Sequence, residues 1–168
     1  MSADLVLQRI VLRPITAGSA AEVVNGLRHD DWAVDYPTDG DMVICALVLR
    51  ALDSGVNYQP PTVIAPWTGP WQVCVRTNEG ETVIGGIGFK GGPTNGAIEI
   101  GYGIAESARG HGYATDAVRA LLQLVSGQDL RVTAETEPGN TASERVLQRC
   151  GFVPTHTADD GNLWWEVE

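Results

Sequence analysis

Six residues, Arg109-Gly110-His111-Gly112-Tyr113-Ala114, carry the most distinctive chemistry of this chain. They form a glycine turn just ahead of a helix-spaced segment. Such a turn presents unpaired backbone N–H groups at the positive end of a helix dipole, a place for phosphate oxygens. A phosphate held this way needs no lysine. Two familiar phosphate motifs do not fit. No G-x-x-x-x-G-K-[ST] occurs in the chain. Gly101-Tyr-Gly103-Ile-Ala-Glu106 lacks the third glycine of the dinucleotide fingerprint and lies within a strand-like segment rather than after one.

The elements that position this turn read clearly on either side. From Ala97, the residues Ile98, Ile100, Tyr102 and Ile104 alternate with Glu99, Gly101 and Gly103, as in a strand. After Gly112 the spacing becomes helical, with Ala114, Ala117, Val118, Leu121, Leu122 and Val125 in one broad apolar stripe. Leu130–Thr136 alternates as another strand, and Asn140 opens a helix that stops at Gly151. Phe152–Ala158 and Leu163–Val167 flank Asp159–Asn162 and predict a terminal hairpin.

Upstream, Leu5–Arg13 reads as one strand ended by Pro14, followed by a helix to about Leu27 capped by Thr16 or by Ser19. A polar, aromatic-bearing loop, Arg28–Asp39, precedes a helix over about Asp41–Asp53, with Thr38 or Asp39 as cap and Gly55 as stop. Asn57–Pro70 is a proline-rich connection. Trp71–Arg76 and Thr82–Phe89 read as a hairpin, with Gly85, Gly86 and Gly88 marking a bulge or the close approach of another group. Antiparallel hairpins combined with a strand–helix–strand unit predict an α/β (α+β) fold, a mixed, mostly antiparallel sheet with helices on both faces.

At 168 residues the expectation is a single domain over 1–168. A net charge of −10 argues against nucleic acid as partner, because the phosphate backbone selects a basic footprint. That charge suits cationic partners such as amines, and it equally serves solubility. Cys45, Cys74 and Cys150 are odd in number, lie among apolar neighbours and lack metal-ligand spacing, so buried free thiols and no metal are expected. Met1-Ser-Ala-Asp4 shows no leader pattern, and the longest apolar run, Met42–Leu49, is too short to span a bilayer. A cytoplasmic protein with no membrane partner is the expectation.

The segment R-x-x-G-x-A at Arg109, Gly112 and Ala114 resembles the pyrophosphate-binding turn of the Gcn5-related N-acetyltransferases (GNAT family). Asn140-Thr-Ala-Ser143-Glu-Arg-Val146-Leu-Gln-Arg-Cys-Gly151-Phe152 resembles that family's N-x-x-S-x-x-V-x-x-x-x-G-F helix at the expected distance downstream. With Glu99-Ile-Gly-Tyr102 the likeness extends to the ribosomal-protein-alanine (RimJ/RimL-like) branch. It runs from about Val83 to Val167; earlier, only Leu12-Arg13-Pro14 stands out.

The resemblance implies the acyl-CoA N-acyltransferase fold, with a sheet of about seven strands, and transfer of an acetyl group from acetyl-CoA to an amine. The acceptor implied is a peptide N-terminus or a small amine, and relatives are often homodimers. Tyr102, Gly103 and Ile104 match positions whose backbone runs beside pantetheine, while Arg109, Gly110, His111, Gly112, Tyr113, Ala114 and Thr115 match the pyrophosphate turn. His111 contributes its backbone there rather than its imidazole.

Glu99 matches the carboxylate that takes the ammonium proton, although a lone glutamate on a strand can simply face solvent. Ser143 matches a serine near the CoA sulfur, or it satisfies local backbone at a helix start. Asn140 caps its helix and could also reach the pantetheine amides. Trp32, Asp35 and Tyr36 are candidates to line the acceptor cleft, unless the aromatics pack the helices down. Many relatives carry a tyrosine as general acid where this chain has Leu147, which cannot serve. A non-catalytic acyl-CoA-binding module is the competing reading, and a generic nucleotide-binding domain a third.

Overall fold

A computed structural model describes residues 4–168; the first three residues of the segment read for a leader lie outside it. Among the described residues, eight strands form one sheet in the order β1-β2-β3-β4-β5-β6-β8-β7. They are β1 Leu5–Val6, β2 Ile10–Pro14, β3 Trp71–Thr77, β4 Gly80–Phe89, β5 Ala97–Ile104, β6 Arg131–Thr136, β7 Val153–Thr157 and β8 Leu163–Val167. Among the strands of the described residues, the only parallel pair is β5 with β6, joined through helix α3, Tyr113–Val125. Every other neighbouring pair is antiparallel.

Two helices cover each face. Ile98, Ile100 and Ile104 of β5 pack with Ala117, Val118 and Leu121 of α3 and with Leu147 of α4, Thr141–Arg149. The opposite face buries Val11, Cys74 and Val83 against α1, Ala17–Val24, and α2, Asp39–Asp53. The side chains alternate across the sheet, so Glu99, Gly101 and Gly103 face the α1/α2 side. Accordingly, a Cβ added at Gly103 would lie 3.3 Å from Thr38 Oγ1. Among the described residues no helix is long and apolar enough to cross a membrane.

The start of the chain departs from expectation. Leu5–Arg13 is not one strand but two, folded at Leu7-Gln8-Arg9, where Leu7 N–H donates to the Ile10 carbonyl at 2.9 Å. The turn breaks the alternation, and Ile10, Val11 and Leu12 are all buried because the following strand is covered on both faces. Thr16, not Ser19, caps α1, with Ser19 reciprocating from the third position. Thr38 and Asp41 make the same box at α2. The glycines of β4 are sites of close approach. A Cβ on Gly85 would collide with the Gly103 carbonyl, one on Gly86 with Asp41, and one on Gly88 would lie 3.1 Å from Pro70 Cα. The ladder with β3 also slips there, pairing Val73 with Gly85 and Cys74 with Val83.

Candidate functional site

Strands β5 and β6 form a fork. Their register runs from Ala97↔Arg131 to Ile100↔Ala134 and stops, while both strands continue. On β5 the Glu99 carbonyl accepts from Lys90 N–H and the Ala105 N–H donates to Ile84, so these residues bond on the β4 side. By alternation the N–H and C=O of Tyr102 and Ile104 point into the fork. Arg109 Nε takes the Ile104 carbonyl at 3.0 Å, tying the glycine turn to the end of β5.

At the open end of the fork lies that turn. Gly110 and Gly112 have φ of 80° and 83°, left-handed backbone that an L side chain rarely adopts. The first bond closing the helix is Asp116 N–H to Gly112 C=O, at 3.1 Å. The amides from Gly110 to Thr115 take no acceptor among the described residues, and the Thr115 hydroxyl is buried without a partner. Together with the dipole of α3 they suit an anion. The His111 ring turns away from the amides, with Nδ1 3.3 Å from the Ala108 carbonyl and the ring stacked on Tyr113.

Arg9, from the turn between β1 and β2, braces this site. Its Nη1 donates to the His111 carbonyl at 3.0 Å, and Nε and Nη2 donate to Asp116 Oδ2 at 2.9 and 2.6 Å. Asp116 sits in the first turn of α3, where its charge would oppose a bound anion. The guanidinium cancels that charge and also lies 5.4 Å from the Tyr113 ring centroid.

At the closed end, Glu99 does not stand alone. Lys90 Nζ lies 2.5 Å from Glu99 Oε1 and 2.9 Å from Glu135 Oε1. That Glu99 oxygen is buried, and the Lys90 ammonium is the charge it faces. Burial works against the Lys90 charge, but the two carboxylates outweigh it and hold the pKa above the ordinary lysine value. The lysine stem crosses β5 above Gly101, where a Cβ would come 3.3 Å from Lys90 Cε.

On the α3/α4 side, the Tyr102 hydroxyl donates to the Ser143 carbonyl at 3.2 Å, bridging β5 to α4. Burial pushes the Tyr102 pKa up to about 12, so the phenol remains a donor at ordinary pH. Asn140 Oδ1 accepts from Ser143 N–H at 3.2 Å as the N-cap of α4. The cap uses the serine backbone and leaves its hydroxyl unengaged by any described residue. Leu147 is fully buried in the core.

Within the Arg28–Asp39 loop, two of the three candidates for a cleft lining are buried instead. Trp32 and Tyr36 are buried in the core beneath α1 and α2, in edge-to-face contact at 4.9 Å. Asp35 accepts from Ser107 N–H at 2.9 Å and from the Ser107 hydroxyl, and those bonds hold its pKa below the ordinary carboxylate value. This loop is therefore fastened to the segment that leads into the glycine turn.

Sequence reasoning missed Lys90, Glu135, Arg9 and Asp116. Lys90 and Glu99 flank one hairpin and share register with Phe89↔Ile100, a signal that was present. Nothing local links Arg9 to Asp116.

Residues 9–153 match the family model described as acetyltransferase (GNAT) domain. An uncharacterized N-acetyltransferase of Bacillus subtilis, YjdG, is 34% identical over 85 residues, 49% of this chain and 51% of that protein, so the match spans about half of the relative. An acetyltransferase of Agrobacterium tumefaciens superposes with a TM-score of 0.64 at 20% identity, covering 98% of this chain and 94% of that one. A ribosomal-protein-serine acetyltransferase from Vibrio cholerae, described as putative, gives 0.63 at 20% identity over 99% of each chain. A RimL ribosomal L7/L12 α-N-protein acetyltransferase in complex with coenzyme A gives 0.63 at 17%, covering 97% and 96%. These likenesses establish the shared fold.

Proposed function

The chain belongs to the GNAT acetyltransferase family, and on that premise we propose that it is an N-acetyltransferase moving the acetyl group of acetyl-CoA to a primary amine. One observation carries the reading: a forked strand pair with partnerless amides at its open end and the Glu99 carboxylate at its closed end. Acetyl-CoA supplies an activated acetyl thioester. The amides of Gly110 to Thr115 and the α3 dipole hold its pyrophosphate, with Arg109 and Arg9 fixing the turn. Backbone groups of Tyr102 and Ile104, with the Gly103 backbone between them, line one side of the pantetheine arm, and Asn140 and Ser143 the other.

Glu99 takes the proton of the acceptor ammonium, directly or through water. The Ser143 hydroxyl hydrogen-bonds or protonates the departing thiolate. Transfer is direct, without an acyl-cysteine. Burial raises the thiol pKa of Cys45 and Cys74 to about 12, and raises that of Cys150, so none is set up as a nucleophile. The Glu99-Ile-Gly-Tyr102 strand and the Ser143 helix favour the RimJ/RimL-like branch, hence the α-amine of a protein or peptide; a small amine is the next acceptor to test. We place the reaction in the cytoplasm, in one domain that works alone or as a homodimer.

A non-catalytic acyl-CoA-binding module draws on two observations, the buried Leu147 and the Lys90 ion pair on Glu99. Release of free CoA across a panel of peptides, polyamines and aminoglycosides tests both readings. Glu99→Gln should lower turnover about 100-fold or more with acetyl-CoA affinity retained. Binding without turnover in either form would overturn the enzyme.

A further inference from the structure

We propose that Lys90 is an internal acetyl acceptor, a self-modification site at the closed end of the fork. The inference rests on the transferase reading above. Of the 11 lysines and arginines in the chain, only Lys90 is a lysine. Its amine is placed where an acceptor amine must be. Lys90 lies opposite Glu99 across the hairpin, with its N–H on the Glu99 carbonyl at 2.8 Å. Its stem passes over Gly101, the first residue of β5 beyond the last pair with β6. Nζ then rests between Glu99 and Glu135, one carboxylate from each prong of the fork. An arm anchored at Gly110–Thr115 runs back along β5 and delivers its thioester toward this end.

A purely structural bridge between two carboxylates is better made by arginine, whose planar fork binds them bidentately. Arginine cannot lose its proton and be acylated, whereas lysine can. In the step, the Lys90 ammonium passes one proton to Glu99, and the neutral nitrogen attacks the thioester carbonyl. A carbon–nitrogen bond forms and the carbon–sulfur bond breaks. The thiolate leaves as CoA, and the second proton from nitrogen balances its protonation. The product amide carries no charge, so Glu99 and Glu135 lose the cation they shared. Because the two carboxylates stabilise the ammonium, the step is slow and quickens as the pH rises.

The test incubates the purified full chain with acetyl-CoA and follows intact mass and peptide maps, beside acetyl-CoA binding by calorimetry and CoA release with the amine panel. The expected result is one acetyl unit on Lys90, at a rate independent of protein concentration. That rate should fall about tenfold or more in Glu99→Gln, and Lys90→Arg, which keeps a cation between the carboxylates, should gain no acetyl unit at this position. An unmodified Lys90 in a chain that transfers to external amines would overturn the proposal and leave the enzyme reading standing. Equal labelling of Lys90 in the Glu99→Gln variant would reduce it to uncatalysed chemistry, and a rate proportional to protein concentration would make it transfer between copies. Failure to bind acetyl-CoA at all would remove the transferase reading and this inference together.

Discussion

Arg9 and Asp116, 107 residues apart, meet through two hydrogen bonds of 2.9 and 2.6 Å to a single carboxylate oxygen at the first turn of α3. The contact joins the turn between the first two strands to the glycine turn that we propose holds a pyrophosphate. Its effect is electrostatic: it neutralises the one acidic residue in that helical turn and leaves the amides and the helix dipole to face the ligand.

Arg9→Ala should therefore cost affinity rather than stability. The pair is exposed, so its contribution to folding is about 1 kcal/mol or less. An uncompensated Asp116 beside a bound pyrophosphate should weaken acetyl-CoA about tenfold, or about 1.4 kcal/mol. Adding Asp116→Asn should restore most of the loss. Calorimetric titration of the two single variants and the double checks this, and an Arg9→Ala chain that binds as tightly as wild type would remove the role.

Ser143 and Asn140 should separate cleanly, because the cap uses the serine amide and not its hydroxyl. Ser143→Ala should keep the melting temperature while turnover falls about tenfold or more. Asn140→Ala should lose about 1 kcal/mol of stability through the cap. Thermal melts beside initial rates decide, and a Ser143→Ala enzyme with full turnover would mean that water protonates the thiolate.

Asp41 gives a pH signature. Burial raises its pKa, and the bonds from Thr38, which lower it, do not fully compensate. The folded chain thus holds this proton at a pH where the unfolded chain has released it. The stability it supplies is complete below the unfolded carboxylate range and is lost as the pH rises through the folded pKa. Asp41→Asn, which keeps an oxygen to accept from Thr38, should melt close to wild type in acid and above it at neutral pH. A constant gap between the two melting curves across that range would contradict the assignment.

Much of this protein is written locally. The strand of Ile98, Ile100, Tyr102 and Ile104, the helix after Gly112, and the caps at Thr16, Thr38 and Asn140 each follow from periodicity or from one side chain serving a nearby amide. The glycines of β4 announced crowding, and the crowding is there. At Leu5–Arg13 the same reasoning failed, because the turn at Leu7-Gln8-Arg9 carries no glycine or proline to mark it.

The site itself divides along the same line. The glycine turn and the Asn140 helix are contiguous motifs, and the sequence alone was enough to find them and, through them, the family. Where the β5–β6 pairing stops, how Lys90 crosses Gly101 to reach Glu135, why Asp35 closes on Ser107, and how Arg9 finds Asp116 all depend on which strands become neighbours and in what register. Those are sums over many weak contacts distant in sequence, so no single segment contains them. Trp32 and Tyr36 show the difference most plainly: in a polar loop they look available to a ligand, but the packing of α1 and α2 onto the sheet buries both.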